Sequence, residues 1–592
     1  MYQENDSHKL PTFFSLKNFL TQNLWEELSK SWAGTFYKEV FCKIEEKIFT
    51  PLYSEKYSRP NAPINVLVGL EILKSGFGWS DEELYEQAKY NLQIRLALGL
   101  HNFQEEIFTL RTIYNFRKRV REYAEETGIN LMQKVFEQIT DAQLEELALE
   151  TGWQRMDSTQ VLSNLARMTR LELMVAVLQA VHKQLGESDQ ERYEERWEPY
   201  LEGRPHQVCF KIPVGETKDH LLTIGRELDR LERELAKRAP ESEVLSLIRR
   251  VLEEQYTREA EGPLQLRPGK EMGADSLQSP HDLEATYRVK GGTEFRGGYV
   301  VNVSETADEN NPVQLITDVQ VEPNQTDDAE LMEQSLDDQA ERDINVEKVT
   351  TDGGYTGPKG EEACGKHNVE LRATRMRGGY SSPHKWGWEE YVWDVDEEGM
   401  PTGITCPGEC QGRVIPGQAD GKFIIRFEKE KCRSCAFFKE KCRVQDRARV
   451  GPTMYVNKRI VEVARQRQQL HPEDTPIRVV VESTVRSVKR AFPDSKLPVR
   501  GLIRSSMMLY LAPLMVNVRR LHDYLSEKER RGAQKGTLSL SFFEMELFRS
   551  FKPSEPHTVQ PGGRRRPALG RPDAPGAQPE RHVLRHAQVR EE

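Results

Sequence analysis

The sequence predicts an α/β protein: a mixed β-sheet broken by a large helical insertion and a small cysteine-rich β insertion, with an all-α domain in front. Three observations carry this reading. Apolar residues recur at helical spacing through the first 146 residues, and the period changes at Leu147. From there to residue 375, β-compatible segments alternate with helical ones. Finally, five of the eight cysteines fall between Cys406 and Cys442.

The elements follow in order. In residues 1–146 the apolar positions are Val66, Leu67, Leu70 and Leu73, then Leu84, Ala88, Leu92 and Leu96. Ser80 before Asp81 and Glu82 is a good helix start, with an acceptor side chain and acids at the positive helix end. Phe108 to Tyr123 carries Arg111, Arg117, Lys118, Arg119 and Arg121, which suits a module that binds DNA ends; a dimerisation bundle has much the same pattern. The core, 147–375, opens with the strand Trp153–Leu162, which bears Asp157. Residues 165–268 return to helix, with Leu222, Ile224, Leu228, Leu231 and Leu235 along one side of the clearest run. Gly298–Ser304 and Val313–Val321 read as a hairpin across the turn Asp308–Pro312. Thr326–Arg342 is an acidic helix opened by Thr326 and Asp327. Val346–Thr351 is a strand running into Asp352-Gly353-Gly354-Tyr355. Strand, hairpin, helix, then a strand ending in Asp is the order of a ribonuclease-H-like sheet, interrupted here after its first strand. Residues 376–452 form the Cys/Trp-rich β insertion. The last part of the core, 453–530, is helical, with a break near His471-Pro472. Residues 550–592 are rich in proline and glycine and read as a disordered tail.

Composition excludes several classes. No apolar run reaches the roughly 18–20 residues of a membrane span, and the N-terminus lacks a secretory pattern, so the cytoplasm is expected. Eight cysteines are too few for a secreted disulfide scaffold of 592 residues. The net charge of −10 is unevenly spread: residues 431–530 hold 22 Lys and Arg against 10 Asp and Glu, whereas 321–350 hold 10 acids against 2 bases. Such a chain can bind phosphate locally and stay soluble.

Metal-dependent phosphodiester chemistry needs acids that converge from separate elements. Asp157 on a first strand, Asp352 at the end of a later strand and Glu482 on a helix meet that need. Gly353 and Gly354 allow the turn that leaves Asp352 at a sheet edge. On the helix, Arg478, Glu482, Arg486 and Lys489 form one polar stripe. Val481, Val485, Val488 and Phe492 form the apolar one, and Pro493 ends it. A solvated face with salt bridges would explain the stripe, but not the two matching acids upstream.

These segments resemble the DDE transposases of bacterial insertion sequences, in the group with a tyrosine–arginine–glutamate–lysine signature and a cysteine-rich insert. Arg478, Glu482 and Lys489 fit the signature's spacing, and Thr475 stands where the tyrosine is expected. RMDSTQVLSN is similar to the family's first-Asp strand, and VTTDGGYTG to its second-Asp motif. SPHDLEATYRVKGGTEFRGGYVVNVSET resembles the stretch before that motif, and PINVLVGLEILKSGFGWSDEELYEQAKYNLQIRLALGL the helical domain in front of the core. The resemblance covers roughly residues 55–525 and implies a specific activity. Asp157, Asp352 and Glu482 would hold two Mg²⁺ or Mn²⁺ ions, while Arg478, Lys489 and Arg486 would contact DNA. The substrates would be transposon ends with terminal inverted repeats and target DNA, cleaved and joined by a homodimer on the DNA. The rival readings are an inactive DNA-binding relative and a metal-dependent nuclease without strand transfer.

Cys406, Cys410, Cys432, Cys435 and Cys442 offer five thiols for the four places of a structural zinc site. Reduced thiols within a small β unit fit the spacing equally. Trp386, Trp388 and Trp393 beside them read as core of that unit rather than as stacking platforms for bases.

Overall fold

The computed structural model describes residues 1–548 apart from 11–12, 55–58, 103, 259–261, 291, 377–383, 420 and 439, with side chains described as far as residue 531. The tail expected over 550–592 lies outside the described residues. The chain divides into a compact unit, Met1–Lys528, and a second unit, Glu529–Glu592, whose described part is helical to Phe548.

The compact unit is mixed α/β. Its first sheet has six strands: β1 (Trp153–Leu162), β2 (Thr286–Lys290), β3 (Thr293–Thr306), β4 (Ile316–Pro323), β5 (Lys348–Thr351) and β6 (Glu370–Ala373). β3 pairs antiparallel with β1, β2 and β4, while β1–β5 and β5–β6 are parallel. The helix Thr475–Lys489 packs on β1, and the helix Asp328–Glu341 packs on β3 and β4. Alternation along β1 sends its side chains to two layers. Val161 joins Val485 and Val488 of the first helix, and Met156 joins Met332 and Leu336 of the second.

The hairpin is longer than the sequence reading draws it. β3 runs back to Thr293, and β2 precedes it. The five residues of β2 alternate in burial only weakly, which hides them from a pattern search. The acidic helix begins where expected, with the Asp327 carboxylate accepting from Ala329 N at 3.0 Å.

In the N-terminal region, Ser80 and Glu83 close a capping box: Ser80 Oγ accepts from Glu83 N at 3.1 Å, and the Glu83 carboxylate accepts from Ser80 N at 2.8 Å. The helix Ile64–Phe77 is buried almost all round. Its core does not close on itself. Ile64 to Leu73 share one apolar cluster with Val161 and Val303 of the sheet and with Met507 to Val518 of the last helix, Leu502–Phe548. Gly78 shows how close this approach is. It caps the helix at φ 73°, and a Cβ there would lie 1.8 Å from the carbonyl oxygen of Ala491.

Between β1 and β2 the helices Arg170–Gln184, Glu187–Leu201, Thr217–Arg238 and Glu243–Gln255 bury a core of their own around Met174, Trp197, Leu228 and Ile248. One position needs correcting. Leu221, not Leu222, is the buried start of the stripe that continues through Ile224, Leu228, Leu231 and Leu235. Steps of three and four residues from Leu221 keep to one helix face.

Residues 392–457 form an antiparallel sheet: β7 (Val392–Val395), β8 (Pro401–Thr405), β9 (Gln411–Pro416), β10 (Lys422–Phe427), β11 (Gln445–Arg447) and β12 (Gly451–Asn457). Their order is β11-β12-β10-β9-β8-β7. Helix Lys458–Gln468 follows, then a short turn at Pro472–Asp474, then Thr475–Lys489. The Glu482 helix ends before Pro493, as its sequence indicates, and a short 3₁₀ turn, Pro493–Ser495, with non-helical residues after it, separates it from the last helix, which starts at Leu502.

Candidate active site

The register of β1 against β5 places the two aspartates. Arg155 stands opposite Thr350 in the parallel pair. Two residues further along each strand come Asp157 and Asp352, so both project from the same face of the sheet. Asp352 lies just past the end of β5, where its carboxylate accepts from Gly354 N at 2.6 Å. That face is the one covered by the helix Thr475–Lys489, through Val481, Val485 and Val488.

Glu482 projects from this helix toward the aspartates, with Arg478 one turn earlier. An Arg478 guanidinium nitrogen stands 2.5 Å from the Glu482 carboxylate and 4.0 Å from that of Asp352. One cation therefore bridges two acids contributed by a strand end and a helix. Burial pushes the Asp157 carboxyl up to about 6, and the negative charges of Asp352 and Glu482 add to this, while Lys290 and Arg478 oppose it. Burial lowers the Lys489 ammonium, and Lys290 lowers it further, while Asp157 works the other way. Asp157, Asp352, Glu482, Arg478 and Lys489 thus form one electrostatic cluster. Arg486 lies on the same helix but is exposed to solvent.

Among the described residues, no three or more His, Cys, Asp or Glu side chains are drawn around one point as a metal ion would hold them. The acids face one another across Arg478 instead, the arrangement expected when mutual repulsion is relieved by a guanidinium.

Residues 26–119 match the model of a transposase domain, DUF772.

No curated protein and no solved structure matches the chain. The matched transposase domain includes the helix Ile64–Phe77 and most of Leu110–Thr127. Its basic helix is less open than its composition suggests. Arg117 is turned inward, at 2.8 Å from Glu71 and 2.7 Å from Asp81. Lys118 and Arg121 pair with Glu122 and Glu125, and Arg119 stacks over Tyr53. Arg111 is exposed.

Lys290, Ser158, Asp328 and Tyr355 lie near the acids and are given no role in the sequence reading. Lys290, at the end of β2, donates to Ser158 Oγ at 3.1 Å. Ser158 Oγ in turn donates to the buried Asp328 at 2.7 Å. Tyr355 is fully buried and donates to Asn302 at 2.6 Å. Lys290 belongs to a strand the reading passes over. Tyr355 was within reach, since it follows Asp352-Gly353-Gly354 directly.

Thr475, at the tyrosine position of the signature, is exposed at the first turn of its helix and donates to the Pro472 carbonyl at 2.6 Å. In the second sheet, Trp386 and Trp393 are buried and Trp388 packs against them, so these rings are core. Cys406, Cys410, Cys432 and Cys442 are buried beside them, and Cys435 is half-buried.

Proposed function

We propose that this chain is an insertion-sequence transposase of the DDE type, with a ribonuclease-H-like core, that cleaves DNA at terminal inverted repeats and joins the ends to target DNA. The observation that carries this reading is the meeting of Asp157 and Asp352, from neighbouring parallel strands, with Glu482 from the helix laid across them. The transposase-domain match over residues 26–119 supports it independently, since that segment contains none of the three acids.

The donor set suits magnesium or manganese. Three carboxylates offer hard oxygen ligands from separate elements, and the raised Asp157 carboxyl marks a site where added positive charge is favoured. Two such ions would activate the attacking oxygen and steady the leaving oxygen. The chain's own groups do the rest. Arg478 neutralises Glu482 and Asp352 in the free protein and turns to a DNA phosphate when the acids are otherwise engaged. Lys290 and Lys489 lie within electrostatic reach of Asp157 and would offer positive charge to a DNA phosphate there. Exposed Arg486 extends this field along the helix, giving a phosphate contact without base readout. Assembly as a homodimer on two DNA ends, in the cytoplasm, completes the proposal.

The test is Mg²⁺-dependent nicking of DNA bearing the element's terminal repeats. Glu482→Gln is expected to bind DNA and lose roughly a thousand-fold in cleavage rate, about 4 kcal/mol of barrier. Equal cutting by parent and variant removes Glu482 from the chemistry. Binding without cutting by both leaves an inactive DNA-binding relative, and cutting without joining leaves a nuclease.

A further inference from the structure

The five clustered cysteines take no part in the proposed chemistry, and their arrangement calls for its own account. They belong to the second sheet. Cys406 follows β8, Cys410 precedes β9, Cys432 lies on the short helix Lys429–Ser434 and Cys435 at its end, and Cys442 lies in the segment before β11. Chain turns bring together sulfurs up to 36 residues apart.

We propose that this insert binds one structural zinc ion through Cys406, Cys432 and Cys442, with the fourth place taken by Cys410 or Cys435.

Three observations lead here. The first is spacing between sulfurs. Cys432 Sγ and Cys410 Sγ are 3.7 Å apart, well beyond a disulfide bond and close to the edge of a tetrahedron with metal–sulfur bonds of about 2.3 Å. Cys435 and Cys406 border one small space above Gly408, at 3.2 and 3.7 Å from where a Cβ on that glycine would sit. Cys432 is within electrostatic reach of Cys410, Cys406 and Cys442, and Cys442 of Cys406 and Cys435, which gathers all five thiols into one neighbourhood around the Cys432–Cys410 approach.

The second is hydrogen bonding to sulfur. Cys410 N donates to Cys406 Sγ at 3.4 Å, and Val444 N donates to Cys442 Sγ at 3.5 Å. A neutral thiol is a weak acceptor. Backbone amides aimed at two sulfurs of one cluster are what offsets the charge of metal-bound thiolates.

The third is the charge and size of the surroundings. Four thiolates on Zn²⁺ leave two net negative charges. Lys385, whose ammonium bonds the Cys442 carbonyl at 2.8 Å, and Lys431, within electrostatic reach of Cys410, bring positive charge to the cluster. The core of this sheet is small, and the thiols occupy places that apolar side chains fill elsewhere. Small β units with thin cores gain much of their stability from such a clamp. The sulfurs have not converged on one point; rotation about the cysteine Cα–Cβ bonds is the movement that binding requires. Four thiolates close the coordination shell, which makes the ion structural rather than catalytic.

The experiment measures metal in the full chain purified without added chelator. One zinc per chain is expected, bound to sulfur at about 2.3 Å by X-ray absorption. Replacing zinc by cobalt should give the strong thiolate-to-cobalt charge-transfer band and the visible bands of a tetrahedral site. Cys432→Ser and Cys442→Ser should each lower zinc content at least ten-fold. Of Cys410→Ser and Cys435→Ser, one should do so and the other retain the ion. Because a serine variant can fail to fold, cobalt binding by the unaltered chain is the second arm. A parent chain with no zinc and no tetrahedral cobalt spectrum overturns the proposal, as does full zinc content in Cys432→Ser. Neither result bears on DNA cleavage, so this proposal and the transposase reading stand or fall separately.

Discussion

The molecule contains two six-stranded sheets that differ in what they bury. The first sets a buried hydrogen-bonded network among its apolar residues. Gln154 pairs with Gln339 at 2.6 Å, Thr317 with Gln154 at 2.8 Å and Ser158 with Asp328 at 2.7 Å, all buried. At its centre the fully buried Glu305 takes Arg155 at 2.6 Å, Arg520 at 2.7 Å and the Thr484 hydroxyl at 2.8 Å. The second sheet buries tryptophan, tyrosine, isoleucine and sulfur. Apolar packing alone fixes a sheet's shape loosely, since side chains of similar volume exchange at little cost. A hydrogen-bonded interior admits fewer arrangements. Arg155 lies two residues before Asp157 and Thr484 two after Glu482, so the Glu305 network ties the strand of one candidate ligand to the helix of another. Rigid geometry is spent where acids must meet.

Breaking that network should have the largest effect. Glu305→Ala leaves Arg155 and Arg520 without their shared partner, and a loss of about 3–5 kcal/mol of unfolding free energy is expected in chemical denaturation. A loss below 1 kcal/mol would show that water replaces the carboxylate freely and that the buried polar network is not what orders this sheet. In the second sheet, Trp393→Ala should cost about 3 kcal/mol, seen as earlier proteolysis between residues 384 and 457 while the first sheet stays protected. Uniform proteolysis would mean that the two sheets unfold together.

Asp157→Asn is expected to act in the opposite direction. Its carboxyl is raised to about 6, above the ordinary value near 3.8, so ionising it works against the folded state. That cost is absent at low pH, grows as pH rises between these two values and is full above the higher one. In the absence of divalent ions, the variant should therefore be more stable than the parent at pH 7.5, by about 1–2 kcal/mol after allowing for solvent screening. The difference should fade toward pH 4. Thermal melts across this range check it, and a variant less stable at pH 7.5 refutes the sign. Mg²⁺ should stabilise the parent and not the variant.

The strand carrying Asp157, the helix after Asp327 and the strand before Asp352 were legible in the sequence because each has a local mark: alternation, a cap or a glycine turn. The polar stripe of the Glu482 helix was legible for the same reason, through its spacing against Val481, Val485 and Val488. Lys290 was hidden because its strand is short and weakly alternating. Arg117 looked like a surface cation and is an interior one, since its two acids, Glu71 and Asp81, lie on other helices. Glu305 could not be recognised as a hub. Its partners are 150, 179 and 215 residues away, and nothing near it in the chain announces them.

The shared core of the first helices and the last one sets the order of events during synthesis. Ile64 to Leu73 emerge early from the ribosome, yet the surface they bury against includes Met507 to Val518. Until those residues appear, the early helices expose an apolar face, and Gly78 has no Ala491 to meet. The same delay applies to Glu482, which follows Asp157 by more than three hundred residues. A nascent chain stalled before the helix Thr475–Lys489 would carry both aspartates but no Glu482 to meet them, so the assembly of the three acids waits until that helix has been made.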